Sequence, residues 1–420
     1  MTTRGKGLKR QVWTQRRALW LALFALCALL PVSVVAQDPI QVRVSGHDYE
    51  FGDRVHFYLE AASSVPIQSV VLAYRTSDTQ GTTVEPVEIS AAKDVRVDHV
   101  HEISRRYIRP FVEVTYWWTV VNADGAKLKT PPQPFSYADN RFNWETQSRD
   151  AVNVHWYEGQ VQVAQQVLDV AVSAIARARQ DIQLDAIGEP IDIYLYADAD
   201  DLRLALPAGL PAGAEALTLY ETNVVLVPYG PAVANTPNLT RIVPHEVTHA
   251  LIHKATQSDF DHVPMWLAEG LATSVEYEFA PDPDAQLLLE QAMEDQRLLD
   301  LNTLCAEFPH DWTTARLAYV QSADVVDYVR DMHGRQALRD LVAAYADGAT
   351  CDGGVQRVLG FSLDRLEQLW IEYSAPHGTW TLFWQNNGAW VVLTVLFAGL
   401  PFLFLRPSCS SALMARRKAP

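Results

Sequence analysis

The sequence predicts an α+β protein with two folded domains and an apolar segment near each end of the chain. Residues 38–137 read as short strands in which apolar and polar residues mostly alternate, whereas helical periodicity dominates from residue 238 onward. The chain has 420 residues, of which 49% are hydrophobic and 20% charged. This length and composition are sufficient for two globular domains with additional segments.

The N-terminal segment has the pattern of a signal peptide. Six basic residues between positions 4 and 17 precede an apolar run over 18–30. Val34-Val35-Ala36 then provides the small residues that favour cleavage before Gln37. We therefore expect residues 1–36 to be a signal peptide that directs the following region out of the cytoplasm.

A second apolar run, Ala389–Leu405, predicts a transmembrane helix near the C-terminus. Its 17 residues are at the short end for crossing a bilayer, and aromatic residues cluster in the preceding segment 376–388. The basic tail 406–420 favours the cytoplasmic side. Together the two ends predict a single-pass membrane protein whose residues 37–385 lie outside the cytoplasm.

The charge of the intervening region is strongly acidic. Six of the 34 basic residues fall in 1–36 and four in 406–420, which leaves 24 basic against 50 acidic residues between these segments. Nucleic acids and anionic lipid head groups are poor partners for such a surface. The lipid bilayer is expected as a partner only through the transmembrane helix.

The predicted N-terminal domain, residues 37–137, has the strand pattern of a β-sandwich. Turn signals such as Asn122-Ala123-Asp124-Gly125 separate short strands at regular spacing, which is typical of immunoglobulin or fibronectin type III domains. The predicted strands are Ile40–Val44, Arg54–Ala61, Ser69–Arg75, Val84–Ile89, Asp94–His101 and Phe111–Val121.

The predicted second domain, residues 138–375, begins with mixed elements and ends in helices. A helix is expected from about Gly159 to Ile182, and strands are expected at Ile191–Tyr196 and Asn223–Pro228. Two or more strands followed by a mostly helical part form an α+β arrangement.

The most informative motif in this domain is His245-Glu246-Val247-Thr248-His249. It lies in a predicted amphipathic helix over 239–253, with Pro244 expected near the first turn. Residues four apart lie on the same side of a helix, so both imidazoles can face one metal ion. Glu246 is offset by one position, where it can deprotonate a metal-activated water.

A third metal ligand is expected on the next helix. Glu269 lies in a second apolar-periodic stretch, Met265–Phe279, which begins directly after Pro264. Zinc suits two imidazoles and one carboxylate, and such a set leaves a fourth position for water, as in catalytic sites. A single Zn²⁺ held by His245, His249 and Glu269 is the predicted cofactor.

These residues resemble the gluzincin zinc metallopeptidases, and most closely the peptidase MA-like families. In these families the second helix typically reads Trp-Leu-x-Glu-Gly, which matches Trp266 to Gly270 here. The resemblance covers about residues 150–375. It implies a gluzincin-type fold, peptide or protein substrates, ligand roles for His245, His249 and Glu269, and a general-base role for Glu246.

The resemblance also implies three features outside the motif. Tyr319 occupies a place where gluzincins often use a phenol to stabilise the oxyanion, although a core role is the alternative for a tyrosine on an apolar helix. Strand 223–227 would be the edge that pairs with substrate backbone. Some relatives place an aspartate four residues after the third ligand, but this chain has Thr273 there, with Glu276 beyond it.

Further histidines and cysteines have less specific interpretations. His253 extends the histidine stripe by another turn, which carries it too far along the axis for ligation, and His262 is expected to be solvated. Cys305 and Cys351 are the only cysteines between the predicted signal and the tail. They form either a disulfide or two buried thiols.

The sequence therefore favours a membrane-anchored, extracytoplasmic zinc metallopeptidase. Two alternatives remain open at this stage. One is a cell-surface binding or scaffold protein that retains an inactive gluzincin fold. The other is a zinc hydrolase that acts on a non-peptide amide, such as a cell-wall component.

Overall fold

The chain folds into two compact units, the first ending at Ala138 and the second beginning at Asp139. The computed structural model describes residues 40–184, 187–206, 216–229, 236–256 and 262–375, together with residues 390, 391 and 393. An N-terminal sheet unit followed by a mixed, mainly helical part confirms the predicted α+β class.

The predicted membrane and targeting segments fall almost entirely outside the described residues. This applies to the signal 1–36, the juxtamembrane segment 376–388, the basic tail 406–420 and most of the transmembrane segment 389–405. Among the helices that the structure describes, none combines the length and apolarity needed to cross a bilayer.

The N-terminal unit is a seven-stranded antiparallel sheet built on alternating side chains. Along β5, for example, Val114, Tyr116, Trp118 and Val120 are buried while the residues between them face outward. The strands are β1 (Ile40–Glu50), β2 (Arg54–Thr76), β3 (Thr83–Val87), β4 (Ala92–Glu102), β5 (Glu113–Asn122), β6 (Lys127–Lys129) and β7 (Gln133–Ser136).

The long strand β2 joins the two halves of this sheet. Its first half pairs with β1 and β4 and its second half pairs with β3 and β5, so all seven strands belong to one hydrogen-bonded sheet. β2 connects all seven strands into one sheet, and the division into two sheets that an immunoglobulin-type sandwich requires stays a prediction. The sequence predicts two separate strands, Arg54–Ala61 and Ser69–Arg75, and this separation is wrong. β2 continues through Pro66, which lies where its pairing register with β4 shifts.

The second unit contains a mixed five-stranded sheet in the order β11-β12-β10-β9-β8. The central strands β9, β10 and β12 run parallel, and α1 connects β9 to β10. The strands are β8 (Glu145–Arg149), β9 (Val152–Trp156), β10 (Ile191–Tyr196), β11 (Leu217–Leu219) and β12 (Val224–Pro228).

The expected edge strand of this sheet is not at the edge. β12, which corresponds to the predicted strand 223–227, pairs with β10 on one side and with β11 on the other. Four of its five residues are buried, which suits a central position. Among the described strands the outer position on this side belongs to β11, whose three residues are too short for a pattern-based prediction.

The helices of this unit bury a continuous apolar core against the sheet and against one another. The predicted helix Met265–Phe279 has the observed bounds, whereas α3 extends further than the sequence predicts at both ends. The helices are α1 (Val161–Ala178), α2 (Ala199–Ala205), α3 (Thr236–Thr256), α4 (Met265–Phe279), α5 (Pro283–Glu294), α6 (Trp312–His333), α7 (Arg335–Ala346), α8 (Cys351–Leu359) and α9 (Leu363–Ser374).

A disulfide joins Cys305 to Cys351, with the two Cα atoms 6.0 Å apart. It links the turn before α6 to the first residue of α8 across 46 residues of sequence. Of the two alternatives that the sequence leaves open, the structure has the disulfide. Buried Gln321 fixes the same loop by donating to, and accepting from, the backbone of Leu299.

Candidate metal centre

Helix α3 positions the two histidines of the motif. Val243, Val247 and Leu251 are fully buried and hold one side of the helix in the core. Pro244 lies inside the helix rather than in its first turn, because α3 already includes Thr236. Proline cannot donate a backbone hydrogen bond, so this residue interrupts the ladder one position before His245.

Helix α4 positions the third predicted ligand, Glu269. Trp266, Leu267 and Leu271 are fully buried around it and fix the rotation of the helix. Gly270 allows α4 to approach α6 closely, because a Cβ atom at this position would lie 2.4 Å from the carbonyl oxygen of Ser322. The glycine of the Trp-Leu-Ala-Glu-Gly segment is thus required by helix packing beside the ligand.

The structure brings His245, His249 and Glu269 together at one point. The Nε2 atoms of the two histidines are 3.1 Å apart, and Oε2 of Glu269 lies 3.3 Å from the first and 3.2 Å from the second. A tetrahedral zinc ion with bonds of about 2.0–2.2 Å separates its ligands by about 3.3 Å. These three residues could therefore hold one metal ion.

The hydrogen-bonding state of these atoms also fits a cation. Nδ1 of His245 lies 3.0 Å from Oε2 of Glu276, and a carboxylate only accepts, so this nitrogen is the donor. Nε2 of the neutral ring then presents a lone pair toward Glu269. Oε2 of Glu269 is buried and accepts no well-directed hydrogen bond within the described part of the chain. Converging acceptors repel one another unless a positive charge lies among them.

In the metal-free protein a proton meets this requirement. Burial alone would lower the pKa of His245, but the adjacent carboxylates of Glu269 and Glu276 raise it to about 10. Burial would raise the pKa of Glu269, yet the positive charges of His249 and His245 lower it. The site thus retains a proton at neutral pH, and a metal ion would have to displace it.

Glu276 supplies the carboxylate behind the first histidine. It lies two helical turns beyond Glu269 on α4 and is contacted in turn by Arg241, whose Nε is 3.6 Å from its Oε1. The position expected from the relatives, Thr273, does not take this part, because its hydroxyl is buried without a hydrogen-bond partner among the described residues. Such a carboxylate fixes the tautomer and the orientation of a metal-binding histidine.

Glu246, the predicted base, lies beside the metal-binding group and contacts the edge strand β11. The hydroxyl of Thr218 lies 2.5 Å from Oε2 of Glu246 and 3.0 Å from its backbone carbonyl oxygen. Thr218 is itself buried, with 3% of its surface exposed. No sequence signal identifies Thr218, since it precedes Glu246 by 28 residues in an unpatterned segment.

Two tyrosines approach the group from different elements. Tyr319 on α6 has its ring centroid 6.2 Å from that of His245 and is packed by Phe308. Burial, together with the negative charges of Glu269 and Glu246, raises its pKa. The phenol therefore keeps its proton at neutral pH and can act as a hydrogen-bond donor.

Tyr220, which sequence reasoning missed, lies in the turn after β11. Its ring stacks on His253 at 5.7 Å and meets His249 edge-on at 6.4 Å. Burial raises its pKa, and the charges of Glu246 and Glu269 add to this effect. His253 thus contacts Tyr220 and lies outside the metal-binding group, and His262 is exposed, as predicted for both.

The family model of the Peptidase MA superfamily matches residues 170–375. This range includes the three metal-binding candidates, Glu246 and Tyr319, and the match supports a gluzincin-type peptidase in this part of the chain. No curated protein matches the sequence.

Among solved structures, 56 chains match. One is the crystal structure of catalytically inactive OgpA from Akkermansia muciniphila in complex with an O-glycopeptide (glycodrosocin) substrate, at 9% identity and a TM-score of 0.20. The matched region covers 26% of this chain and 32% of that one. The chain thus spans about a third of the OgpA chain, and so low a TM-score does not indicate a shared fold.

Proposed function

We propose that the second unit is a zinc-dependent peptidase whose ligands are His245, His249 and Glu269. The observation that carries the proposal is the convergence of two imidazole nitrogens and one carboxylate oxygen within 3.1–3.3 Å of one another. The match of residues 170–375 to the Peptidase MA superfamily supports peptide or protein substrates.

The residues around this group have the chemistry that peptide hydrolysis requires. A zinc ion bound there would polarise the scissile carbonyl and acidify the attacking water. Glu246 takes a proton from that water as the new C–O bond forms. It then transfers the proton to the amide nitrogen, so that the C–N bond breaks and a neutral amine leaves. Tyr319 donates a hydrogen bond to the carbonyl oxygen as negative charge develops there.

Substrate backbone would pair with β11. In the resembling families an edge strand before the motif helix often pairs with substrate, and among the described strands β11, rather than β12, holds that outer position here. Its contact with Glu246 through Thr218 places this edge beside the base. Main-chain pairing of this kind aligns an extended peptide without selecting its sequence.

The decisive experiment combines metal analysis with digestion of a peptide library by purified full-length protein. Wild type should bind one zinc ion per chain and cleave peptides in a chelator-sensitive manner. Glu246→Gln should retain the zinc and lose about 10²- to 10⁴-fold in turnover, because it cannot take up the proton. Full activity in this variant would refute the role of Glu246.

The same experiment separates the alternatives. One bound metal without cleavage by either protein would favour a binding or scaffold function. Cleavage restricted to non-peptide amides in a parallel assay would favour a zinc hydrolase that acts on such amides. A wild-type protein that binds no zinc would refute the proposal as a whole.

We further propose that a helix over 389–405 anchors the protein in the membrane, with the catalytic unit outside the cytoplasm. The basic and apolar patterns of both ends support this topology, and the Cys305–Cys351 disulfide suits an oxidising compartment. Protease added to intact cells should digest residues 37–385 and leave the tail 406–420 protected. Protection of the catalytic unit in intact cells would contradict this topology.

A further inference from the structure

The contact between Thr218 and Glu246 connects the substrate-binding edge to the base. Thr218 is the middle residue of β11, and its neighbours pair with Leu226 and Val224 of β12. Its side chain is buried rather than directed into solvent. The buried hydroxyl of Thr218 therefore connects this three-residue strand to helix α3.

The direction of this hydrogen bond follows from the donor inventory. Both the ionised carboxylate and the backbone carbonyl of Glu246 only accept, and the single hydroxyl hydrogen of Thr218 is donated to the nearer atom, Oε2, at 2.5 Å. The backbone carbonyl of Glu246, at 3.0 Å, is the longer contact of the same hydroxyl. One carboxylate oxygen is thus held by the strand, and Oε1 remains to take the proton from water.

We propose that Thr218 is a positioning residue for Glu246, which aligns the base with a substrate bound along β11. The inference rests on the proposed peptidase function and extends it to a residue that does not contact the metal ligands. A glutamate side chain has three rotatable bonds, and productive proton transfer requires one orientation of its carboxylate. β11 supplies both the backbone edge and the hydroxyl. A substrate that pairs with the strand is therefore aligned with the carboxylate of Glu246.

This role predicts a specific kinetic signature. Removal of the hydroxyl should lower kcat about 10- to 100-fold, the range expected for loss of a hydrogen bond to a charged group. KM should change by less than about twofold, because the backbone edge of β11 remains in place. Zinc affinity should not change, since His245, His249 and Glu269 keep their contacts.

The test compares Thr218→Val, which keeps the shape and removes the hydroxyl, with Thr218→Ser, which retains the hydroxyl. Thr218→Ala provides a second hydroxyl-free variant if valine impairs folding. Thr222→Val is the matched control, because among the described residues the hydrogen bond of the Thr222 hydroxyl stays within its own turn, to the carbonyl oxygen of Leu219 at 3.2 Å. Each full-length variant is assayed for kcat, KM and zinc affinity by chelator competition.

The inference is supported if valine and alanine lower kcat at constant zinc affinity while serine restores most of it and Thr222→Val behaves as wild type. Wild-type kcat in Thr218→Val would overturn the inference and leave the peptidase proposal intact. An equal loss in Thr222→Val, or a parallel loss of zinc affinity, would instead assign the effect to general structure and overturn it. Absence of cleavage by wild type would refute the proposed function, and this inference with it.

Discussion

Two buried carboxylates of the second unit, Asp181 and Glu269, differ in what neutralises their charge. The side chain of Asp181 is fully buried and is contacted by Arg177, Arg330 and Arg335 at 2.7–2.9 Å. Glu269 instead faces two histidine nitrogens, with no arginine or lysine among the ion pairs that the structure shows for it. The first carboxylate has permanent partners within the chain, whereas the second needs a proton or a metal ion from outside.

The contacts of Asp181 indicate a role in helix packing. Asp181 lies just after α1, while its arginine partners lie on α1, α6 and α7, so the cluster ties these helices together. The charge of Asp181 is therefore balanced by side chains of the chain itself. At Glu269 the acceptors exceed the donors, and a metal ion would balance that excess.

The largest expected effect is on stability at Asp181. Asp181→Asn removes the charge that three arginines share, and breaking a buried ion pair from one side costs about 3–5 kcal/mol. The free energy of unfolding of the full-length protein, measured by denaturant titration, should fall by this amount. Asp347→Asn is the control, because Asp347 pairs with Arg357 at an exposed site where less than about 1 kcal/mol is expected. Equal losses in both variants would remove the distinction.

At Glu269 the stabilisation should depend on the metal instead. Zinc at about 100 times its Kd should raise the free energy of unfolding of wild type by about 2.7 kcal/mol. Glu269→Gln should lose this increment, since an amide oxygen replaces the anionic ligand. Asp181→Asn should retain it despite its lower baseline. A zinc increment that survives in Glu269→Gln would contradict the assignment of the ligand.

The carboxylate behind His245 should have a smaller influence on the metal. Glu276→Gln should weaken zinc binding about 10- to 100-fold, because the imidazole loses the acceptor that fixes its tautomer. Glu278→Gln, two residues further on α4, removes a partner of Arg177 instead and should leave zinc affinity unchanged. Chelator competition measures both. Equal affinities for zinc in the two variants would exclude the supporting role of Glu276.

The smallest expected effect is a pH dependence of stability with opposite sign at His245, beside Glu269, and at Asp181. The pKa of His245 is raised from 6.5 to about 10, so zinc must displace its proton, and zinc affinity should fall about tenfold per unit as pH falls from 8 to 7. In the metal-free protein this group contributes stability that is complete below pH 6.5 and is lost as pH rises toward 10.

Asp181 acts in the acid range. Burial would raise its pKa, but Arg330 and Arg177 lower it below the ordinary value of 3.8. Its contribution to stability is therefore present above pH 3.8 and is lost as pH falls through the lowered value. The free energy of unfolding of the metal-free protein, measured against pH, should decrease at both alkaline and acid pH. Asp181→Asn should remove only the decrease at acid pH. Persistence of the full decrease at acid pH in that variant would contradict this account.

The convergence of the three candidate metal ligands could be predicted from sequence because they lie on two short helices with strong local patterns. Helical spacing places His249 one turn beyond His245, and the apolar stretch that contains Glu269 has the bounds observed for α4. Their convergence follows from packing, in which Gly270 plays a part. The spacing and the periodicity involve residues close together in the chain, and such patterns can be detected in a single sequence.

The surrounding residues could not be predicted, because their positions depend on tertiary contacts. Thr218 and Tyr220 reach the site through a short edge strand and its turn, which have no periodicity to detect. Glu276 takes the place expected for residue 273 because it is the carboxylate that faces Nδ1 of His245. The continuity of β2 through Pro66 likewise depends on which partners it meets along its length.

The absence of a side chain at Gly270 has a consequence for the two helices that carry Glu269 and Tyr319. α4 carries Glu269 and α6 carries Tyr319, and the two helices meet where Gly270 touches Ser322. A methyl group at this position would push α4 and α6 apart. Tyr319 would then move relative to Glu269, although neither side chain had been changed. The distance between Glu269 and Tyr319 therefore depends on position 270 having no side chain.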